Sequence, residues 1–363
     1  MSPPAVPPAS ASDLNPLGPE LVERFRRDLA DALGRTAAPE DQFALAVSGG
    51  ADSMAMLALA HAAYPGRVMA ATVDHRLRSA SSDEAEMVAR WCAKVGIRHA
   101  TLTPNRTISP TNLQADARKV RYDLLGAWAI GIGAVVLLTA HQCDDQAETF
   151  LMRARRGSGP GGLAGIRTRW TWERHRWHRG YPQGGVVAVA DVDAVTVVRP
   201  LLGWRRRELR GLVETASIPF VDDPSNDDER FDRVRARRLL AEQPWIDAEA
   251  LARSARICAE ADADLDAMMV WLGRERTRES CVEERRIDVA GLPRELRRRL
   301  ARDAIGYVRL VSAISEGRWS ESANVEALLD ALEGGTGATQ AGVMAVAEGD
   351  VWTFREAPPR RSH

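Results

Sequence analysis

The fold of this chain is decided by the stretch FALAVSGGADSMAMLAL, which runs from Phe43 to Leu59. Its first residues are mostly apolar and predict a buried strand, and its last residues are apolar at helical spacing and predict a helix. The two glycines between them allow a tight turn and a close approach of the backbone to a ligand. Because the first amides of a helix favour anions, this turn predicts a phosphate-binding corner. Its residues are Ser48, Gly49, Gly50, Ala51, Asp52 and Ser53.

The corner is not a Walker A loop, because no lysine follows the glycines. A Gly-rich turn between a strand and a helix can also be an ordinary connection, but the full hexapeptide SGGADS is much more specific. It resembles the PP-loop of the ATP pyrophosphatases, which cut ATP between the α- and β-phosphates. That resemblance implies that the corner binds a nucleotide.

Further along the chain, predicted strands alternate with predicted helices, which indicates right-handed crossovers and a parallel sheet. We therefore predict an α/β fold, a Rossmann-like doubly wound sheet of the PP-loop type, followed by a helical domain and a small C-terminal α+β segment. The predicted strands are 43–47, 67–73, 97–102 and 134–140, with a strand pair over 186–198. The predicted helices are 21–33, 81–94, 112–130, 205–215, 247–276, 292–314 and 325–332.

The predicted domains follow from these elements. Residues 1–19 are rich in Pro, Ala and Ser and predict a disordered tail, and residues 20–240 form the catalytic domain with an insertion at 167–185. Residues 241–332 form the helical domain, and residues 333–363 form a short final segment.

Charge is distributed unevenly, although the net charge is only −1. Residues 151–240 contain 18 arginines, no lysine and 11 acidic residues, so the middle of the chain is basic and favours a polyanionic partner. A general preference for arginine explains the scarcity of lysine but not this local excess.

The four cysteines, Cys92, Cys143, Cys258 and Cys281, show neither CxxC pairs nor zinc spacing. They predict reduced thiols in a cytoplasmic protein. The N-terminus lacks the features of a signal peptide, and no run of 18 apolar residues predicts a membrane span.

An acidic pair, Asp145 and Glu148, follows the predicted fourth strand where a helix opens. Residues three apart share a helix face, so the pair can hold Mg²⁺ or a cationic group of a substrate. The alternative is that the acids only stabilise the first turn of the helix, without any chemistry. Asp144 is the expected cap, which would leave the pair available.

The insertion, RTRWTWERHRWHRGYPQGG, interleaves tryptophans with arginines. Arginine with aromatic side chains suits stacking on bases and pairing with phosphates. A surface hairpin is the favoured alternative, because the segment shows no clean period.

Motifs over residues 43–238 together resemble the tRNA(Ile)-lysidine synthetase family. They are SGGADS, VDHRLR, NLQADARKVRY, TAHQCDDQAETFLMRARRGSGPGGLAGI, RPLLGWRRREL and DDPSN. The C-terminal stretch IDVAGLPRELRRRLARDAI is similar to the helical domain of the family, which implies that residues 241–332 bind tRNA. The tryptophan-rich insertion matches no element of the family.

The resemblance implies a carbon–nitrogen ligase that works in two steps. The wobble cytidine of the CAU anticodon of tRNA(Ile) attacks the α-phosphate of ATP, and diphosphate leaves. The ε-amine of free L-lysine then displaces AMP from carbon 2, so that the tRNA reads Ile instead of Met codons. Relatives of this fold often pair, so a homodimer is among the expectations.

The residues suit that chemistry. The amides of Gly49, Gly50 and Ala51 and the hydroxyls of Ser48 and Ser53 would neutralise the departing diphosphate. Asp52 would help to bind Mg²⁺, and Asp145 and Glu148 would hold the metal or the lysine ammonium.

A base must also take a proton from lysine before the attack, and His75 and His141 are further candidates beside the carboxylates. Each histidine follows a strand end, where a structural role is the alternative. Arg118 and Arg121 lie one helical turn apart and would grip the ATP phosphates or the target nucleotide.

Two other functions stay open. One is tRNA cytidine thiolation, which usually requires CxxC pairs that this chain lacks. The other is a non-catalytic RNA-binding module that senses nucleotides, against which the intact Asp52, Asp145 and Glu148 argue.

Overall fold

The computed structural model of the chain describes residues 17–76, 80–105, 113–180, 187–222, 232–278, 281–315, 319–320 and 323–358. The chain divides into two compact units, Met1–Ala259 and Glu260–His363. Most of the predicted N-terminal tail and most of the DDPSN motif lie outside the described residues.

The first unit is built on a six-stranded sheet with the order β3-β2-β1-β4-β6-β5. Five neighbouring strands run parallel, and only the edge strand β5 is antiparallel, to β6. This arrangement confirms the predicted doubly wound parallel sheet. The strands are β1 (Phe43–Ala46), β2 (Val68–Val73), β3 (Arg98–Leu102), β4 (Val136–Leu138), β5 (Arg169–Gly180) and β6 (Val187–Val198).

Helices cover both faces of this sheet, as its apolar strands require. Alternate residues of β1 show the two faces, because Phe43 and Leu45 belong to one buried cluster and Ala44 to another. The helices of this unit are α1 (Pro19–Leu33), α2 (Ala51–Ala63), α3 (Ala80–Val95), α4 (Leu113–Gly131), α5 (Cys143–Arg155), α6 (Pro160–Leu163), α7 (Arg206–Thr215) and α8 (Asp232–Glu242). The next helix, α9 (Ala248–Arg276), begins in the first unit and ends in the second, where its Leu272 belongs to the apolar cluster of that unit.

The predicted strand pair over 186–198 is wrong, because residues 187–198 form the single long strand β6. Its antiparallel partner β5 comes from the tryptophan-rich insertion, so residues 169–180 of the insertion form the edge strand of the sheet. Trp172 is only 5% exposed and packs in the cluster beneath α4, and its Nε1 donates a hydrogen bond to Asp123. Trp170 packs edge-on against Tyr122. These two tryptophans therefore stabilise the core and are not free to stack on bases.

The second unit contains an antiparallel sheet with the order β7-β8-β11-β10-β9, on which α10 and α11 pack around a separate apolar cluster. The strands β7 and β8 are absent from the sequence prediction. The elements are β7 (Thr277–Arg278), β8 (Glu284–Asp288), α10 (Arg294–Val311), α11 (Glu326–Glu333), β9 (Ala338–Gln340), β10 (Val343–Glu348) and β11 (Val351–Glu356).

Candidate active site

The predicted site residues follow the carboxyl ends of parallel strands, which meet at one edge of the sheet. The strand order reverses between β1 and β4, and in doubly wound sheets ligands bind in the crevice at such a point. The SGGADS turn and α2 follow β1, and α5 follows β4. Asp52 and the acidic start of α5 therefore flank the same crevice.

The conformation of the SGGADS turn is fixed by one glycine and by hydrogen bonds of its two serines. Gly49 has a φ of 88°, in the left-handed region that favours glycine, and its carbonyl accepts a hydrogen bond from the amide of Val221 (2.9 Å). Ser53 Oγ donates to the carbonyl of Gly50 (2.9 Å) and accepts from the amide of Ser48 (3.2 Å). The helix α2 has no side-chain cap, and the amides of residues 49–52 find no acceptor among the described residues. They form the donor-lined corner that an anion needs.

Asp52 lies in the first turn of α2 with one carboxylate oxygen unsatisfied. Its Oδ1 is buried without a hydrogen-bond partner, and its Oδ2 lies 3.5 Å from Nε2 of Gln142. Burial, together with the nearby charge of Asp145, raises its pKa to about 6. Mg²⁺ prefers carboxylate oxygens, so the orphaned oxygen next to the phosphate corner fits this ion. Among the described residues, no three His, Cys, Asp or Glu side chains are grouped so that they could hold a metal ion by themselves.

The cap of α5 differs from the prediction. Gln142, not Asp144, is the N-cap: its Oε1 accepts from the amides of Asp144 (2.5 Å) and Asp145 (3.2 Å). Asp145 completes a capping box, because its Oδ2 accepts from the amide of Gln142 (3.2 Å). Asp144 instead pairs with Arg205 (3.0 Å). Burial opposes ionisation of Asp144, but the Arg205 hydrogen bond prevails and lowers its pKa.

The acidic pair is engaged by three guanidinium groups. Glu148 is fully buried and accepts from Arg206 (2.9 Å), Arg233 (2.8 Å) and Arg237 (2.9 Å). Asp145 pairs with Arg206 (3.1 Å) and Arg233 (2.8 Å). Asp145 and Glu148 do share a helix face, as predicted, but they are not vacant. The two carboxylates form a buried site that binds cationic groups, and in this structure arginines of α7 and α8 occupy it.

Asp145 has little room for a metal ion in this arrangement, because its Oδ1 faces two arginines and its Oδ2 accepts the capping amide. Its predicted role as a magnesium ligand stays a prediction. The structure brings Asp145 close enough to Asp52 for the charge of one to raise the pKa of the other.

The two predicted histidines lie in a basic environment. Both ring nitrogens of His75 are buried without partners, and burial and the charge of Arg121 lower its pKa. Burial holds the pKa of His141 well below its usual value, and the charges of Arg199, Arg118, Arg233 and Arg121 act in the same direction. Such a low pKa makes His141 a weak base.

Arg118 and Arg121 are exposed, and neither forms an ion pair with a described residue. Arg118 stacks over the ring of Tyr122 at 5.0 Å. Unpaired guanidinium groups at a ligand-binding edge are suited to phosphates.

Sequence reasoning missed several residues of the site. Gln142 was missed because glutamine is not among the preferred N-caps. The arginines lie in the basic stretch 151–240, and three of them belong to the RPLLGWRRREL motif, but their partners were not predicted. The spacing of Arg233 and Arg237, four apart on a helix, could have suggested a joint contact with the acidic pair. The missed residues are Gln142, Arg199, Arg205, Arg206, Arg233 and Arg237.

Comparison with known proteins identifies the class of the first unit and the family of the chain. Residues 21–243 match the family described as the PP-loop domain, which defines the class: the first unit is an ATP-using PP-loop domain. A tRNA(Ile)-lysidine synthase of Zymomonas mobilis is 37% identical over 87% of this chain and 89% of its own length. One from Novosphingobium aromaticivorans is 38% identical over 94% and 95%, and one from Hyphomonas neptunium is 46% identical over 54% and 50%. The chain belongs to the tRNA(Ile)-lysidine synthase family.

None of the helices in the described part of the chain combines the length and the apolar character that a membrane crossing requires.

Proposed function

We propose that this enzyme ligates L-lysine to carbon 2 of the wobble cytidine in the CAU anticodon of tRNA(Ile), with ATP as cosubstrate and AMP and diphosphate as products. The observation that carries the proposal is the nearness of two sites with opposite preferences. The open amides after β1 suit phosphates, and the acidic pair on α5 suits an ammonium group. Gln142 connects the two, because it caps α5 and reaches Asp52.

In the first step, the cytidine carbonyl oxygen attacks the α-phosphate and diphosphate leaves. The amides of Gly49, Gly50 and Ala51 and the hydroxyl of Ser48 would take up the negative charge that develops on the leaving group. Preorganised donors of this kind are worth about 3–4 kcal/mol each when removed from comparable sites.

The corner also suits magnesium. Asp52 would hold the ion through its unpaired oxygen, and Asp145 is the second predicted ligand. When bound, Mg²⁺ neutralises charge on the phosphates. Arg118 and Arg121, which are exposed and have no acidic partner among the described residues, would bind phosphates of ATP or of the target nucleotide.

In the second step, lysine needs a site for its positive charge and a group that takes a proton from its ε-amine. Asp145 and Glu148 would bind an ammonium group in place of one of the arginines that engage them now. His75 would accept the proton, because neither of its ring nitrogens has a hydrogen-bond partner among the described residues and one lone pair is therefore open to the amine.

The experiment that tests the proposal is incubation of the full chain with ATP, labelled lysine and a tRNA with a CAU anticodon. We expect label in the tRNA and release of AMP and diphosphate. The same tRNA with a different wobble base is the control and should stay unlabelled. Label transferred only to another anticodon would contradict the substrate assignment, and no transfer at all would contradict the function.

Neither alternative gains support. The four cysteines form no CxxC pair, which argues against a thiolase that needs such pairs. The unsatisfied Asp52 and the open amides argue against a module with a degraded site.

A further inference from the structure

Arg199, the first residue after β6, is buried without an acidic partner. Only 4% of its surface is exposed. It donates hydrogen bonds to the carbonyl of Arg167 and to Nδ1 of His141 (3.3 Å), and it forms no ion pair with a described residue. A buried guanidinium is costly when it lacks an acid, so its position next to a histidine calls for an explanation.

The contact between these two residues determines where His141 carries its proton. The guanidinium group has five donors and no acceptor, so Nδ1 of His141 must be the acceptor and cannot bear a hydrogen. Thr139 Oγ1, 3.1 Å from the same nitrogen, can donate to it as well. A neutral imidazole without a proton on Nδ1 has it on Nε2.

The surroundings of His141 favour the neutral form. Four arginines act on it, namely Arg118 and Arg121 of α4, Arg199 and Arg233 of α8, and burial disfavours the charged ring further. Its Nε2 has no partner among the described residues and is not among their buried unsatisfied atoms, so this N–H remains available to a ligand.

We propose that Arg199 is a positioning residue that fixes His141 as the neutral Nε2–H tautomer, so that His141 donates a hydrogen bond to an oxygen of the nucleotide substrates instead of acting as a base. The inference rests on the proposed function for the identity of the substrate. The acceptor would be a phosphoryl or carbonyl oxygen that gains negative charge, for which a fixed neutral donor is well suited.

The protonation of His141 is measurable in the free, full-length chain. Nitrogen-15 NMR of the histidine side chains, with the His141 signals assigned by their loss in His141→Gln, reports which ring nitrogen carries the proton. We expect Nε2–H and an unprotonated Nδ1 throughout about pH 6–8. In Arg199→Gln, we expect a mixture of tautomers and a protonated fraction at the acidic end, whereas Arg199→Lys should keep the wild-type tautomer. A proton on Nδ1, or a charged ring at about pH 7 in the wild type, would overturn the inference.

Two further variants separate a donor from a base. The side-chain amide of glutamine places an N–H near the Nε2 position, whereas that of asparagine lies near Nδ1. If His141 donates through Nε2, His141→Gln should keep at least about 10-fold more kcat in the lysine transfer assay than His141→Asn, at a similar KM for ATP. Equal loss in both variants, with normal melting, would contradict the donor role. If the wild type transfers no lysine at all, the proposed function fails, while the NMR result still decides the tautomer.

Discussion

Gln142 links the start of α5 to the carboxylate of Asp52 on α2. Its Oε1 caps α5 by accepting from two amides, and its Nε2 lies 3.5 Å from Oδ2 of Asp52. The residue is fully buried, so both contacts are shielded from water. One side chain therefore aligns the helix that carries the acidic pair with the carboxylate that faces the phosphate corner.

We expect Gln142→Glu to change the pH dependence of the first step. Glutamate keeps the oxygen that caps α5 but brings a negative charge to Asp52, whose pKa is already raised to about 6 by burial and by Asp145. The pKa of Asp52 should rise further, so the acidic limb of tRNA-dependent ATP–diphosphate exchange should move to higher pH. Gln142→Met is the matched control, because it removes the cap without adding charge and should cost about 1 kcal/mol of stability. An acidic limb that is identical in wild type and Gln142→Glu would refute the link.

Asp52→Asn should make the protein more stable and less active. The pKa of Asp52 in the folded state, about 6, lies above the ordinary value of 3.8, so the folded chain binds this proton more tightly than the unfolded chain. Ionisation of Asp52 therefore lowers the free energy of unfolding. This penalty is absent below the ordinary pKa, grows as the pH rises from the ordinary to the folded value, and is complete above the folded value. At about pH 7.5 we expect the Asp52→Asn variant to gain roughly 2–3 kcal/mol in chemical unfolding, a difference that disappears near about pH 4.

The same variant should lose adenylate formation, because asparagine keeps the size of the side chain but loses the negative charge that would hold Mg²⁺ next to the phosphates. The two measurements together distinguish a functional carboxylate from a structural one. If Asp52→Asn retained full exchange activity, Asp52 would have no part in the first step. If the variant were less stable than the wild type at neutral pH, the unsatisfied oxygen of Asp52 would have a partner in solution.

Asp145 and Glu148 should respond differently to loss of their charge. Glu148 is fully buried among three arginines, so Glu148→Gln leaves excess positive charge in the interior and should cost about 3–5 kcal/mol in chemical unfolding. Asp145→Asn keeps an oxygen for the capping amide and loses only the charge, so it should stay folded. We expect it to accumulate adenylated tRNA at low lysine concentration, with a raised KM for lysine. Normal turnover of Asp145→Asn at low lysine would remove that residue from the lysine site.

Local patterns in the sequence were sufficient to predict the parallel sheet and the phosphate-binding corner. The apolar runs of β1 and β4 are buried on both faces, and SGGADS fixes a glycine in the left-handed region at Gly49. Such features depend on residues that are neighbours along the chain, so they can be predicted from the sequence.

Pairings between distant residues could not be predicted in the same way. The partners of Glu148 lie 58–89 residues away, in a stretch with many arginines, and only the packing of α7 and α8 selects three of them. The burial of Trp172 was not predicted, because its arginine neighbours suggested a surface segment. Trp170 and Trp172 are two residues apart, so they lie on the same face of β5, and both pack under α4. The short strand β8, with the sequence ERRID, was missed because only its Ile287 is buried.

The burial of Trp172 gives the last prediction, at Gly126 on α4. A Cβ at this position would overlap the indole ring of Trp172. Alanine is favoured over glycine within a helix by about 0.5–1 kcal/mol, whereas overpacking a core costs about 1–3 kcal/mol, so Gly126→Ala should be destabilising. Gly131→Ala, at the end of the same helix with nothing near its Cβ, is the control and should be neutral or slightly stabilising. Chemical unfolding measures both, and the double variant Gly126→Ala/Trp172→Leu should recover part of the loss. If Gly126→Ala were as stable as Gly131→Ala, the insertion would not pack against α4 in solution.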